Sequence, residues 1–113
     1  MCIRDSQEEA TLALLAAQRE AMAQRIRGAV ASAAFRAAAA REQYRRYRDD
    51  ILPRSREVEA MAQESYRAGQ TNLVALLQSL QSARELRAKS LQAAADFENA
   101  LASLRQAMTA PPK

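Results

Sequence analysis

Apolar residues recur at helical spacing along almost the whole chain. In the first half they step alternately by four and three residues, which is the heptad spacing of coiled-coil helices. This spacing predicts one long helix over residues 7–68, with an apolar seam that faces a partner helix. The seam residues are Ile26, Val30, Ala33, Ala37, Ala40, Tyr44, Tyr47 and Ile51, continued by Val58, Met61 and Ala68.

The first helix has a predicted start and a predicted disturbance. Ser6 and Glu9 match the Ser-x-x-Glu capping box, which places the beginning of the helix at Ser6. Pro53 falls inside the seam, and proline removes a backbone donor and crowds the carbonyl four residues back. Because the apolar spacing resumes in phase at Val58, we expect a kink near residues 49–50 rather than a break.

The second half of the chain predicts a turn and another helix. Gly69 stands where a helix end favours the left-handed conformation, and either Thr71 or Asn72 can cap the helix that follows. Residues 73–108 are again helical in pattern, and two prolines lie in the 109–113 tail. Because the turn is short, the helices must run antiparallel, so the fold class is all-α, a long helical hairpin. The second seam comprises Leu76, Leu80, Ala83, Ala94, Phe97, Leu101, Leu104 and Met108, flanked by Leu73, Leu77, Leu86, Ala93, Ala100 and Ala107.

The two predicted helices differ in length. At about 1.5 Å per residue, the first spans roughly 90 Å and the second about 55 Å. Part of the first helix therefore overhangs its partner. Residues 29–40 are also small or apolar nearly all round, as in helices that are contacted on more than one side. We expect helices from other subunits, or from sequence outside this chain, to cover the overhanging residues Leu12, Leu15, Met22 and Ile26.

Composition and charge limit the core and the partners. Of 113 residues 27 are alanine and none is tryptophan, so the seam is thin and we do not expect a stable monomer. The 17 basic and 13 acidic side chains give a net charge of +4. They alternate without blocks of like charge, which favours a solvated, salt-bridged surface over a nucleic-acid interface. Tyr44 and Tyr47, in the basic stretch REQYRRYRDD, lie on the seam, and we interpret them as core residues.

Little in the sequence indicates catalysis. The chain has no histidine, which is the commonest general base and metal ligand. Its adjacent acidic pairs, Glu8–Glu9 and Asp49–Asp50, point about 100° apart on a helix and cannot form a dyad. We therefore expect no enzyme activity, no cofactor and no metal site.

The opening MCIRDS resembles a leader that recurs at the ends of assembled environmental fragments, so we treat residues 1–6 as a candidate non-native leader and the chain as a candidate truncated piece.

The segment from YRRYRDDILP to the C-terminal helix resembles the C-terminal repeat of TolC-like outer-membrane efflux proteins. Members of that family carry a Tyr-x-x-Gly turn followed by a leucine cluster, after a Leu-Pro and before a long alanine-rich helix. The ILP at residues 51–53 matches the Leu-Pro, and the order and spacing of these features are the specific part of the resemblance. The other matching residues are Tyr66, Gly69, Leu73, Leu76 and Leu77.

The resemblance implies a fold, partners and site residues. Such proteins are homotrimers with a β-barrel in the outer membrane and an α-helical tunnel in the periplasm, so this chain would be a fragment of that tunnel, without the family's β-strands. The tip would dock the periplasmic adaptor, which links the channel to an inner-membrane pump. By position, Gly69, Gln70, Thr71 and Asn72 would form the docking turn, while Tyr66, Leu73, Leu76 and Leu77 would close and pack the tip.

The chain also departs from the family pattern, and other interpretations stay open. Ala75 and Gln78 stand where relatives often carry acidic residues, and Thr71 stands where some carry a basic one. We therefore expect the opening of such a tip to depend weakly on salt. One alternative is a free-standing structural coiled coil or adaptor hairpin. Another is a basic helix that associates with nucleic acid, whose affinity would fall steeply with salt.

Overall fold

Two long helical arms joined by a tight turn make up the chain. The computed structural model describes residues 2–109, with helices α1 (Cys2–Arg46), α2 (Leu52–Arg67) and α3 (Leu73–Thr109). A π-helical turn, Tyr47–Ile51, connects α1 to α2, so these three elements form one arm and α3 forms the other. No β-strand occurs among the described residues. The predicted all-α hairpin is confirmed, with a longest dimension of 99 Å.

The hydrophobic core is a narrow seam between the two arms. Both α1 and α2 pack against α3. The buried side chains among the described residues are small, namely Ala33 and Ala37 of α1 and Ala83 and Ala93 of α3. Half-buried residues extend this seam, and they confirm the predicted positions Val30, Ala40, Tyr44, Tyr47 and Ile51 on the first arm and Leu76, Leu80, Ala94, Phe97, Leu101 and Leu104 on the second.

Two end positions of the predicted seams are wrong. Met108 is exposed, and its neighbour Ala107 is the half-buried residue of that turn. Ile26 is exposed as well, and the half-buried seam of α1 begins at Val30. Both errors lie where the arms stop covering each other, because heptad spacing describes a face of a helix and does not indicate where the partner ends.

An aromatic stack anchors the middle of the seam. The rings of Tyr44 and Phe97 stack with centroids 5.8 Å apart and planes inclined by 27°. The guanidinium of Arg48 lies over the Tyr44 ring, 5.5 Å from its centroid, in cation–π geometry. The interpretation of Tyr44 and Tyr47 as seam residues is therefore confirmed, since both are half-buried between the arms.

The π-helical turn changes the register of the first arm. The Leu52 N–H donates to the Tyr47 carbonyl, five residues back instead of the four of an α-helix. The arm continues as helix through Pro53, so the backbone is disturbed at the predicted place without a break. The extra residue in this turn rotates everything after it by about 100° relative to an uninterrupted α-helix.

This rotation makes the predicted seam beyond the proline wrong. Val58 is 57% exposed and Met61 is 64% exposed, and Ala68 is exposed at the end of α2. Glu59 and Ala62, each one position further on, face α3 in their place. Both are half-buried, as are Ser55 and Ser65.

The first arm extends beyond α3, as predicted. Residues 3–29, here called the overhang, are exposed apart from the half-buried Ala23. Because α1 already runs through Ser6, the capping-box prediction is wrong and Ser6 lies inside the helix. Within residues 2–109, no helix has the length and apolar content needed to cross a membrane. The apolar side chains that the overhang leaves uncovered include Leu12, Leu14, Leu15, Met22 and Ile26.

Candidate functional site at the hairpin tip

The end of α2 forms a complete Schellman motif. The Gln70 N–H donates to the Ser65 carbonyl at 2.9 Å, and the Gly69 N–H donates to the Tyr66 carbonyl at 3.0 Å. Gly69 adopts φ 75°, the left-handed conformation that this motif requires at the residue after the cap. The predicted left-handed conformation of Gly69 at the helix end is thereby confirmed. Two carbonyls that a helix end leaves without partners are satisfied inside the turn.

The start of α3 is capped by Asn72. Its side-chain Oδ1 accepts a hydrogen bond from the Ala75 N–H at 2.8 Å, and its carbonyl accepts one from the Leu76 N–H at 3.2 Å. This is the N-cap arrangement in which a side chain satisfies a free amide of the first helical turn. Of the two candidate caps, the structure therefore selects Asn72 and not Thr71.

Removing this cap is expected to destabilise the hairpin. We expect Asn72→Ala to lower the free energy of unfolding by about 1 kcal/mol, because the Ala75 amide loses its partner. Thr71→Ala is the matched control in the same turn, and it should change stability by less than about 0.5 kcal/mol. Urea unfolding followed by circular dichroism at one fixed chain concentration measures both. Equal losses for the two variants would contradict the assignment of the cap.

The tip presents apolar side chains to solvent. Tyr66, Leu73, Val74 and Leu77 are exposed, whereas Leu76 is half-buried between the arms. The four residues of the turn, Gly69 to Asn72, are exposed as well. The structure therefore brings all the sequence-predicted tip residues to one end of the hairpin. Within one chain, only Leu76 among the predicted packing residues lies on the seam.

The turn and the first part of α3 carry no charged side chain. No charged residue occurs from Ala68 to Ala83, and the nearest ones along the chain are Arg67 and Arg84. A partner that binds here would meet exposed leucines, the Tyr66 phenol and the polar side chains of the turn. Arg67, next to this stretch, is exposed, so the tip combines apolar contact and hydrogen bonding with one basic side chain at its edge.

A charged cluster at the π-helical turn was missed by reasoning from sequence. Arg48 binds the Asp49 carboxylate with both Nε and Nη2, at 2.7 and 3.0 Å. This hydrogen bond holds the pKa of Asp49 below its ordinary value, and the attraction of the Arg48 charge adds to the effect. Arg54 binds Asp50 at 2.8 Å. The i, i+4 spacing of Asp50 and Arg54 was a signal in the sequence, but the Arg48–Asp49 pair depends on the local backbone.

Metal-ligating side chains do not cluster in the described part of the chain. Within residues 2–109, no three His, Cys, Asp or Glu side chains lie close enough together to hold a metal ion. The acidic side chains of the π-helical turn are engaged by arginines.

The chain matches no known family model, no curated protein and no solved structure. The resemblance to TolC-like channels therefore rests on the residues that carry it, which are the Leu-Pro, the Tyr-x-x-Gly turn and the leucines after it. What this resemblance implies about function is a proposal.

Proposed function

We propose that this hairpin forms part of the periplasmic helical tunnel of a TolC-like outer-membrane efflux channel. In such a channel, three protomers would line the tunnel with hairpins of this kind, and the tip would dock the adaptor of a tripartite pump. The proposal combines the motif resemblance with a structural feature, the amount of apolar surface that the hairpin leaves uncovered.

The main structural support for the proposal is the set of apolar side chains that the hairpin leaves uncovered. Phe35 of α1 is 76% exposed and Leu91 of α3 is 73% exposed, although both belong to the paired part of the hairpin. The overhang exposes further leucines and methionine. Extended apolar surface of this kind is uncommon on a soluble monomer and is typical of an interaction face. A wall of side-by-side hairpins would cover these residues, while a two-helix hairpin alone cannot.

The tip fits the docking role in the same proposal. A helix-to-helix turn without charge, bordered by exposed Tyr66, Leu73 and Leu77, would bind its partner through apolar contacts and backbone hydrogen bonds. Gly69 keeps the turn tight, and the Schellman motif holds its backbone in one conformation. An ordered docking element binds more tightly because it loses less conformational entropy on binding.

A chimeric channel tests the proposal. Residues 52–90, which contain α2, the tip and the first half of α3, would replace the corresponding hairpin of a functional TolC-like channel in a bacterium that needs it for growth on a toxic substrate. We expect the chimera to restore growth. We expect the same chimera with Gly69→Val to reach the outer membrane without restoring growth, because valine is excluded from the left-handed conformation of this turn.

A matched control makes the outcome decisive. Lys89 belongs to the exchanged segment but is exposed and lies far from the tip. A Lys89→Ala chimera should therefore grow like the unaltered one. A chimera that assembles as a trimer in the outer membrane but fails to restore growth would contradict the channel proposal. That result would favour the free-standing coiled-coil hairpin.

A further inference from the structure

Helix α2, which follows the π-helical turn, has two faces that could pack against α3. In the observed register, Ser55, Glu59 and Ala62 lie against α3, while Val58 and Met61 lie outside the seam. In an uninterrupted α-helix continued from the seam of α1, Val58 and Met61 would lie on the seam instead, because they keep its heptad spacing. The covered face is thus the more polar of the two.

In the observed register, the carboxylate of Glu59 lies in an unfavourable environment. Its side chain is only 22% exposed, and its carboxylate is 3.8 Å from Nη2 of Arg87 on α3. This is a loose contact for a charged group drawn into an apolar seam, where a carboxylate is stabilised only by close partners. Meanwhile Val58 and Met61, which would suit that seam, lie at its edge and keep more than half of their surface exposed.

Pro53 opposes the more apolar register. In an uninterrupted α-helix its ring would crowd the Asp49 carbonyl, four residues back. The π-helical turn ends at Ile51, immediately before this region, and its wider backbone relieves the crowding. Side-chain packing therefore favours one register of α2, and the backbone at Pro53 favours the other.

We propose that the π-helical turn Tyr47–Ile51 is a one-residue register switch for α2. Conversion of the turn to α-helix would rotate α2 by about 100°, bring Val58 and Met61 onto the seam and separate Glu59 from Arg87. The rotation would reach Tyr66 and the tip directly, because α2 ends there. The switch is a property of this hairpin and does not rest on the channel proposal.

Thiol alkylation tests the switch in the full chain. In a Cys2→Ser background, Met61→Cys and Ala62→Cys report the two faces of α2, because a covered thiol reacts more slowly than an exposed one. With Pro53 present, we expect Met61→Cys to react faster than Ala62→Cys. In a Pro53→Ala background, we expect the order to invert.

Further variants separate the switch from a general loosening of the helix. Ala37→Cys and Ala38→Cys, one buried and one exposed on α1, should keep their order with and without Pro53. Adding Val58→Gln to the Pro53→Ala background should restore the original order at positions 61 and 62, since the gain from burying Val58 is lost. The proposal is overturned if Met61→Cys still reacts faster after Pro53→Ala, or if the two sites react equally with Pro53 present.

Discussion

Placing an aspartate at Ala93 is expected to lower the free energy of unfolding by about 3 kcal/mol. Ala93 is 4% exposed and is one of the few fully buried side chains of the hairpin. A carboxylate on this short side chain would stay inside the seam, where it would be largely withdrawn from water. Leaving a charge without a partner in an apolar interior is among the largest effects of a single substitution.

The matched control for this prediction lies two residues further on. Ala95 is exposed on the same helix, so Ala95→Asp loses the same helix propensity, roughly 0.7 kcal/mol or less, without burying a charge. Urea unfolding of both variants at one chain concentration isolates the effect of burial. Losses that agree within about 0.5 kcal/mol would mean that α3 does not pack through Ala93 in solution.

The second large effect concerns the two glycines of the chain. Gly69→Ala is expected to destabilise the hairpin by about 1–2 kcal/mol, because φ 75° brings a Cβ too close to the backbone. Gly28→Ala is expected to stabilise α1 by about 1 kcal/mol, because glycine is a poor residue for a helix interior. Apart from the local backbone, an added Cβ meets no atom within 4 Å at either position. The opposite signs therefore come from backbone conformation alone.

Thermal unfolding followed by circular dichroism measures both glycine variants. Gly28 lies in the overhang, so its replacement should raise the helical signal as well as the stability. If both replacements changed stability in the same direction, the left-handed turn at Gly69 would not be the conformation of the hairpin in solution.

Much of the architecture follows from local sequence. The heptad spacing from Val30 to Ile51 predicts the paired face of the first arm, and Gly69 predicts the turn. These predictions succeed because helix propensity, apolar periodicity and the steric freedom of glycine act over a few residues. The overhang follows from helix length alone, since one arm has more residues than the other can cover.

The candidate site could be located from sequence but not described in detail. The Tyr-x-x-Gly turn and its leucines identify the tip, and the structure places them together there. Whether Thr71 or Asn72 caps α3 was open, because both residue types serve as caps and only backbone geometry selects one. The Arg48–Asp49 pair was missed since adjacent residues on a regular helix do not face each other.

The sequence by itself determined that this protein is an all-helical hairpin with an alanine-rich seam, a glycine turn and an unpaired apolar overhang. The tertiary structure alone decided which face of α2 meets α3. That choice depends on a π-helical turn of five residues, where the steric demand of Pro53 competes with the burial of Val58 and Met61. The apolar spacing reflects only the burial of Val58 and Met61 and says nothing about the steric demand of Pro53. A continuous heptad pattern therefore predicted a register that the backbone does not adopt.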